Sequence, residues 1–151
     1  MMGPVSSDTL YANLVPAKVG GVDPARVHEL RPGAPGPGPV VYWMSREQRV
    51  RDNWGLLHAR ALALRSRAPL VVAFALAPSF PRASRRASAF MLAGLREVEA
   101  TLRGLGIGFR LLSGAPPEEI AKFAMSVDAG AVVTDFDPLR IKQEWQKKAA
   151  A

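Results

Sequence analysis

Few residues in this chain are of a type and spacing that could do chemistry. Asp135 and Asp137, in Thr134-Asp135-Phe136-Asp137-Pro138, are the nearest thing to a cation site. No third ligand stands beside them, and Asp137 directly before Pro138 has the form of a helix cap, so no metal site is expected. His28 and His58 lie far apart, with no neighbouring acid and hydroxyl in a nucleophilic arrangement. His58, one turn beyond Trp54, reads as a helix packing residue. Gly104-Leu-Gly106-Ile-Gly108 has the look of a phosphate loop, but it lies between a helix and the next strand, whereas a dinucleotide loop joins a strand to the next helix. It reads as a helix stop and turn. No Gly-Lys-Ser or Gly-Lys-Thr is present, so a Walker-type loop is excluded. Arg82, Arg85 and Arg86 form a small positive loop that could hold a phosphate and reads more simply as solvated. The chain has no cysteine, which rules out thiolate metal sites, disulfides and cysteine nucleophiles. The sequence singles out no catalytic residue.

The elements that would position a site are clearer. Val40, Val41, Tyr42 and Trp43 form a short run apolar on both faces, as expected of a central parallel strand covered on each side. Ser45 is expected to open the following helix, with Ser45 and Gln48 at capping-box spacing. Val50, Trp54, Leu57, Ala61 and Leu64 would then make its inner stripe. A strand end running into a helix N-terminus is where open α/β sheets hold ligands.

The pattern repeats down the chain. Residues 70–76 make a second buried strand after Pro69, and Pro78 and Pro81 end it in a rigid loop. A helix over 84–103 carries Met91, Leu95, Val98 and Leu102 on one face. Residues 107–112 form a third strand, and Pro116 opens a helix with Ile120, Phe123 and Ala124 inward and Glu118 and Glu119 in its first turn. Residues 131–134 form a fourth strand, and a last helix runs from Pro138 through Gln146. This order predicts an α/β fold, a Rossmann-like three-layer sandwich with a mostly parallel sheet of four to five strands. A doubly wound domain normally adds a strand after such a helix, so residues 39–151 are expected to be one domain cut before its last strand. Residues 1–38 read as an arm or linker, because Pro32-Gly33-Ala34-Pro35-Gly36-Pro37-Gly38 can neither continue a helix nor join a sheet interior; a tight linker or a mobile tail is expected. Within it, Asp23 and Pro24 have the form of a cap and first position of one or two helical turns over residues 23–30.

The formal charge is +7. Lys18, Arg26 and Arg31 balance Asp8, Asp23 and Glu29 before residue 39, so the whole excess lies in the α/β part. A basic domain is attracted to polyanions such as nucleic acid. No apolar run approaches the length of a membrane span, and the N-terminus lacks the basic-then-apolar order of a signal peptide, so a cytoplasmic protein is the simplest expectation.

Tyr42-Trp43-Met44-Ser45-Arg46-Glu47-Gln48-Arg49-Val50, followed by Asp52-Asn53-Trp54, resembles the N-terminal strand and helix signature of class II cyclobutane pyrimidine dimer photolyases. Phe90-Met91-Leu92-x-Gly94-Leu95, Leu111-Leu112-x-Gly114-x-Pro116 and Val132-Val133-Thr134-Asp135-Phe136-x-Pro138-Leu139-Arg140 follow in that family's order. The resemblance covers residues 22–148. It implies the α/β antenna-type domain of a light-driven DNA repair enzyme, in which reduced FAD donates an electron to the dimer and a deazaflavin or folate antenna pigment passes excitation to FAD. The helical domain that holds FAD and the flipped-out dimer is not among these residues. The resemblance therefore implies a fragment inactive in repair by itself, with that domain as its partner in cis or in trans and UV-damaged DNA reached through the whole enzyme. It places the antenna cleft at Met44, Ser45, Arg46, Asn53, Asp135, Phe136, Leu139 and Arg140, of which Asn53, Asp135 and Arg140 could equally serve as internal hydrogen-bonding residues. The alternatives are a stand-alone pigment- or nucleotide-binding module of the same fold and a basic DNA-binding accessory protein.

Overall fold

A strand apolar on both faces must be covered on both, and the computed structural model, which describes residues 22–78 and 84–151, covers this one. Strand β1, Val40–Trp43, is buried throughout. It pairs in parallel with β2, Leu70–Leu76, on one side and with β4, Ala131–Thr134, on the other. Strand β3, Gly108–Ser113, adds to β2, giving the order β3-β2-β1-β4 with every pair parallel. Helices α1, Trp54–Ser66, and α2, Arg85–Gly104, pack on one face through Leu56, Ala59, Ala63, Leu95, Val98 and Leu102 against Val40, Tyr42, Val72 and Phe74. Helices α3, Pro116–Ser126, and α4, Arg140–Ala150, cover the other, where Ile120, Phe123 and Trp145 meet Val41, Trp43, Ala73 and Ala75. The result is a four-stranded, all-parallel, three-layer Rossmann-like sandwich. The chain steps outward from β1 to β2 to β3 and then crosses back to the far side of β1, so β1 and β4 flank the topological switch point.

Three local expectations are corrected. The first helix does not open at Ser45: residues 44–53 form an irregular loop, and α1 begins at Trp54 with Asn53 as its cap. The Ser45, Arg46 and Glu47 amides point to Asp135 instead of into a helix, and Asp52 takes a left-handed conformation with φ 50° just before the cap. Gln48 turns its side-chain amide to the Ser45 carbonyl, at 3.3 Å, rather than to its N–H. The inner stripe of α1 is also rotated. Leu56, Ala59 and Ala63 are buried, whereas Trp54 and Leu64 are exposed, because a helix apolar around most of its girth carries no clear facing in its pattern. The last helix starts at Arg140, two residues after Pro138, and Asp137 closes the turn before it by accepting the Leu139 N–H at 3.0 Å.

The Pro/Gly-rich segment takes a tight course over residues 32–38. The Gly36 N–H donates to the Gly130 carbonyl at 2.8 Å, and the Gly130 N–H donates to that of Pro39 at 2.9 Å. Of the one or two helical turns expected over residues 23–30, a single turn forms at Pro24–Arg26, with Asp23 as its cap accepting the Ala25 N–H; Val27 is already extended and ends it. Residues 1–21, Pro81 and Arg82 lie outside the described residues.

Candidate functional site

The two loops at the switch point are tied together by one side chain. Asp135 directly follows β4 and is 4% exposed. Its Oδ2 accepts the N–H groups of Ser45, Arg46 and Glu47 at 2.9, 2.8 and 3.0 Å. Three successive amides converging on one oxygen form an anion-holding nest, here filled by the protein's own carboxylate. Its Oδ1 accepts the Tyr42 hydroxyl in a short hydrogen bond. Burial, reinforced by the Asp135 carboxylate, pushes the Tyr42 phenol far above its usual range, so it stays protonated and donates.

Asn53 completes the tie. Its Oδ1 accepts the Leu56 N–H at 2.8 Å as the α1 cap, and Nδ2 donates to the Glu47 and Arg49 carbonyls, both at 2.9 Å. The Tyr42 hydroxyl also lies 3.0 Å from Asn53 Oδ1. Gly55 lets this turn close on the pair, since a Cβ there would meet Tyr42 Cε2 at 2.8 Å and Asp135 Oδ1 at 2.9 Å. Asn53→Ala removes the cap and leaves two loop carbonyls without their donor, so it is expected to cost about 2 kcal/mol, at the upper end for a lost cap. Urea denaturation followed by circular dichroism measures this directly.

Helix α4 locks onto the same loops. Lys142 Nζ donates to Ser45 Oγ at 3.0 Å and lies 4.9 Å from the centre of the Trp145 ring. Burial lowers the Lys142 pKa, partly offset by Asp137 and Asp135. Gln146 donates to the Asp135 carbonyl at 2.6 Å and Gln143 to the Asp137 carbonyl at 3.2 Å. Thr134 Oγ1 donates to the Trp43 carbonyl across the strand pair.

The eight residues singled out from sequence thus meet at one end of the sheet, in two groups. Met44, Ser45, Asn53 and Asp135 are buried, and the last three use their polar side-chain atoms internally. Arg46, Phe136, Leu139 and Arg140 face solvent, with Phe136 74% exposed. Arg140 pairs with Glu144 one turn on, at 3.2 Å. Phe136 adjoins Asp135, whose Oδ2 holds the Arg46 amide, so the ring and this arginine spring from neighbouring backbone. Sequence reasoning missed the parts played by Tyr42 and Lys142. A phenol inside an otherwise apolar buried strand needs a polar partner, which was the available signal for Tyr42; nothing in the pattern of α4 distinguishes Lys142.

The other features lie elsewhere. One cavity of about 190 Å³ opens at the amino end of β2, lined by Arg60, Leu64, Leu70 and Ile107. Another of about 330 Å³ separates the 22–29 segment from α1 beside His58 and Arg65. Burial, with Arg65 adding to it, lowers the His58 pKa, in keeping with a helix packing residue. Among the described residues no group of three His, Cys, Asp or Glu could hold a metal ion, and no helix is long and apolar enough to cross a membrane.

Residues 40–151 match the DNA photolyase family. A deoxyribodipyrimidine photo-lyase of Potorous tridactylus is 48% identical over 107 residues, covering 71% of this chain and 20% of that protein. Proteins of the same name from Arabidopsis thaliana and Oryza sativa subsp. japonica are 45% identical over 124 residues and 46% over 126. Those matches cover 79% and 80% of this chain, against 25% and 24% of the relatives. The chain spans a quarter or less of the length of these curated relatives.

Proposed function

This chain belongs to the DNA photolyase family, and from that premise we propose that it is the N-terminal α/β part of a class II cyclobutane pyrimidine dimer photolyase, with an antenna face at the carboxyl ends of β1 and β4. The observation that supports the reading is the family match over residues 40–151, joined to the small share of each relative that the match occupies. On this reading, light-driven electron donation belongs to an FAD-binding helical domain, supplied in cis or in trans, and damaged DNA is engaged through the whole enzyme.

The exposed side chains fit an antenna pigment in kind. Phe136 offers a face for stacking and Leu139 an apolar edge, while Arg46 and Arg140 offer positive charge to a planar, anionic ring of the deazaflavin or folate class. Met44, Ser45, Asn53 and Asp135 act beneath them by holding the two loops in place. When bound, such a pigment supplies light absorption and hands excitation to FAD. The chain's own residues bind it and orient it.

The expected outcome in a repair assay follows. The isolated chain carries no flavin absorbance and gives no light-dependent reversal of dimers in UV-irradiated DNA. Substituted for the matching N-terminal stretch of the Arabidopsis thaliana relative, it supports reversal above that of the relative lacking the stretch. Repair by the isolated chain, or a chimera no better than the truncated relative, would overturn the proposal.

A further inference from the structure

The charge of +7 is not spread over the fold. Residues 39–104 carry eleven arginines, no lysine and four acids, whereas residues 105–151 carry six basic and six acidic side chains, four of the basic ones lysine. The whole excess therefore belongs to α1, α2 and the loops around them, and the layer of α3 and α4 on the other face of the sheet is balanced. A bias in coding composition would act on both halves alike. Arginine is the side chain whose planar fork meets a phosphate with two hydrogen bonds at once.

On α2 the arginines are in register. Arg85, Arg96 and Arg103 are eleven and seven residues apart, which on a helix of 3.6 residues per turn puts them within about 20° of one another in a row about 27 Å long. All three are exposed, as are Arg65 and Arg67 at the end of α1. Leu64 of α1 and Gly106 just past α2 line one cavity, so these two helix ends are neighbours. Among the described residues, Arg103 pairs with Glu99, and the other four arginines form no ion pair. Glu97, the other acid of α2, stands about 100° round the helix from Arg96.

We propose that this arginine face of α1 and α2 binds the phosphate backbone of duplex DNA, without regard to base sequence or damage. The row on α2 matches the rise of about eight base pairs, and cations placed along it release counterions from the duplex. An anionic lipid surface fits less well, because an interfacial helix also needs apolar side chains to insert. Leu92, seven residues after Arg85 and four before Arg96, packs on the core instead. Binding by this face calls on neither an antenna pigment nor FAD, so it stands or falls apart from the reading above.

Fluorescence anisotropy of a short, labelled, undamaged duplex titrated with the full chain tests this. Binding is expected with a dissociation constant of about 1–100 μM in about 50 mM salt, and with log K falling against log salt at a slope of about −3 to −4, as for about four phosphates. Arg85→Glu combined with Arg96→Glu is expected to weaken it about tenfold or more and to flatten the slope by about 2. Lys122→Glu combined with Lys147→Glu makes the same change in net charge on the opposite layer, and should leave affinity within about threefold of the parent. All four positions are exposed, and far-ultraviolet circular dichroism checks that each variant is folded. No binding up to about 100 μM chain, or a preference above about tenfold for duplex carrying pyrimidine dimers, overturns the proposal. So does equal weakening by the two pairs of reversals, or binding to phosphatidylserine vesicles as tight as binding to the duplex.

Discussion

Asp135→Ala is expected to lower the stability of the domain by about 3–5 kcal/mol, because four donors lose one shared acceptor at about 1 kcal/mol or more each. The Asp135 carboxylate accepts three backbone N–H groups and the Tyr42 hydroxyl, and all four donors lose their acceptor together. Buried donors left unsatisfied each cost about 1–3 kcal/mol where water cannot replace the partner. A domain of this size holds only about 5–15 kcal/mol in total, so the variant loses a large share of it. Asp135→Asn should cost less, about 1–2 kcal/mol. Its carbonyl oxygen can still face the three amides, while its NH2 group donates to the Tyr42 oxygen. The phenol proton then turns to Asn53 Oδ1, already 3.0 Å away. Urea midpoints for both variants, read with their m-values, measure the difference. If Asp135→Ala lost no more than Asp135→Asn, the amide nest would not be what holds the β1–α1 loop.

Gly38→Ala and Gly130→Ala are expected to cost about 3 kcal/mol each, at the upper end for overpacking, because the obstructing atoms are backbone. A Cβ on Gly38 would stand 1.7 Å from the Asp128 carbonyl oxygen, and one on Gly130 would stand 2.4 Å from that of Gly36 and 2.6 Å from that of Gly38. No rotamer change relieves either clash. The 36–39 segment must lift from the turn before β4, losing its hydrogen bonds to Gly130. Gly104→Ala is the control. It ends α2 with open space at its Cβ position and should be neutral or stabilising by up to about 1 kcal/mol. Thermal and urea unfolding of the three variants settles the matter. Equal stability for all three would mean that the Pro/Gly segment is not packed as described.

Much of the fold was legible because the strands are short, apolar and bounded by turn residues. The expected limits for the first, second and fourth strands, 40–43, 70–76 and 131–134, coincide with those of β1, β2 and β4. Strand β3 differs from expectation by one residue at each end, where Ile107 is buried but lies outside the ladder. What could not be read was anything set by a distant partner. Ser45 and Gln48 have capping spacing, yet a carboxylate ninety residues away takes the Ser45 amide and the two that follow. The pattern of α1 could not fix which side of a helix apolar around most of its girth would face the sheet. The Pro/Gly composition of residues 32–38 left a tight linker and a mobile tail both open; Gly36 and Gly38 lie in close approach to the turn at 128–130. That the eight residues lie in the segments following β1 and β4, up to the first residues of α1 and α4, was legible in the sequence. Their division into buried supports and an exposed face depends on a tertiary contact that no local spacing reports.

The antenna face is tested most directly by titrating the full chain with a deazaflavin-class and a folate-class pigment and following pigment fluorescence, for the parent and for Phe136→Ala. Saturable one-to-one binding of one of the two classes is expected, weakened about tenfold or more by removal of the exposed ring, as for an aromatic anchor, with unfolding midpoints unchanged because Phe136 faces solvent. Binding of neither class, or binding indifferent to Phe136, would contradict the placement of an antenna pigment on the carboxyl ends of β1 and β4.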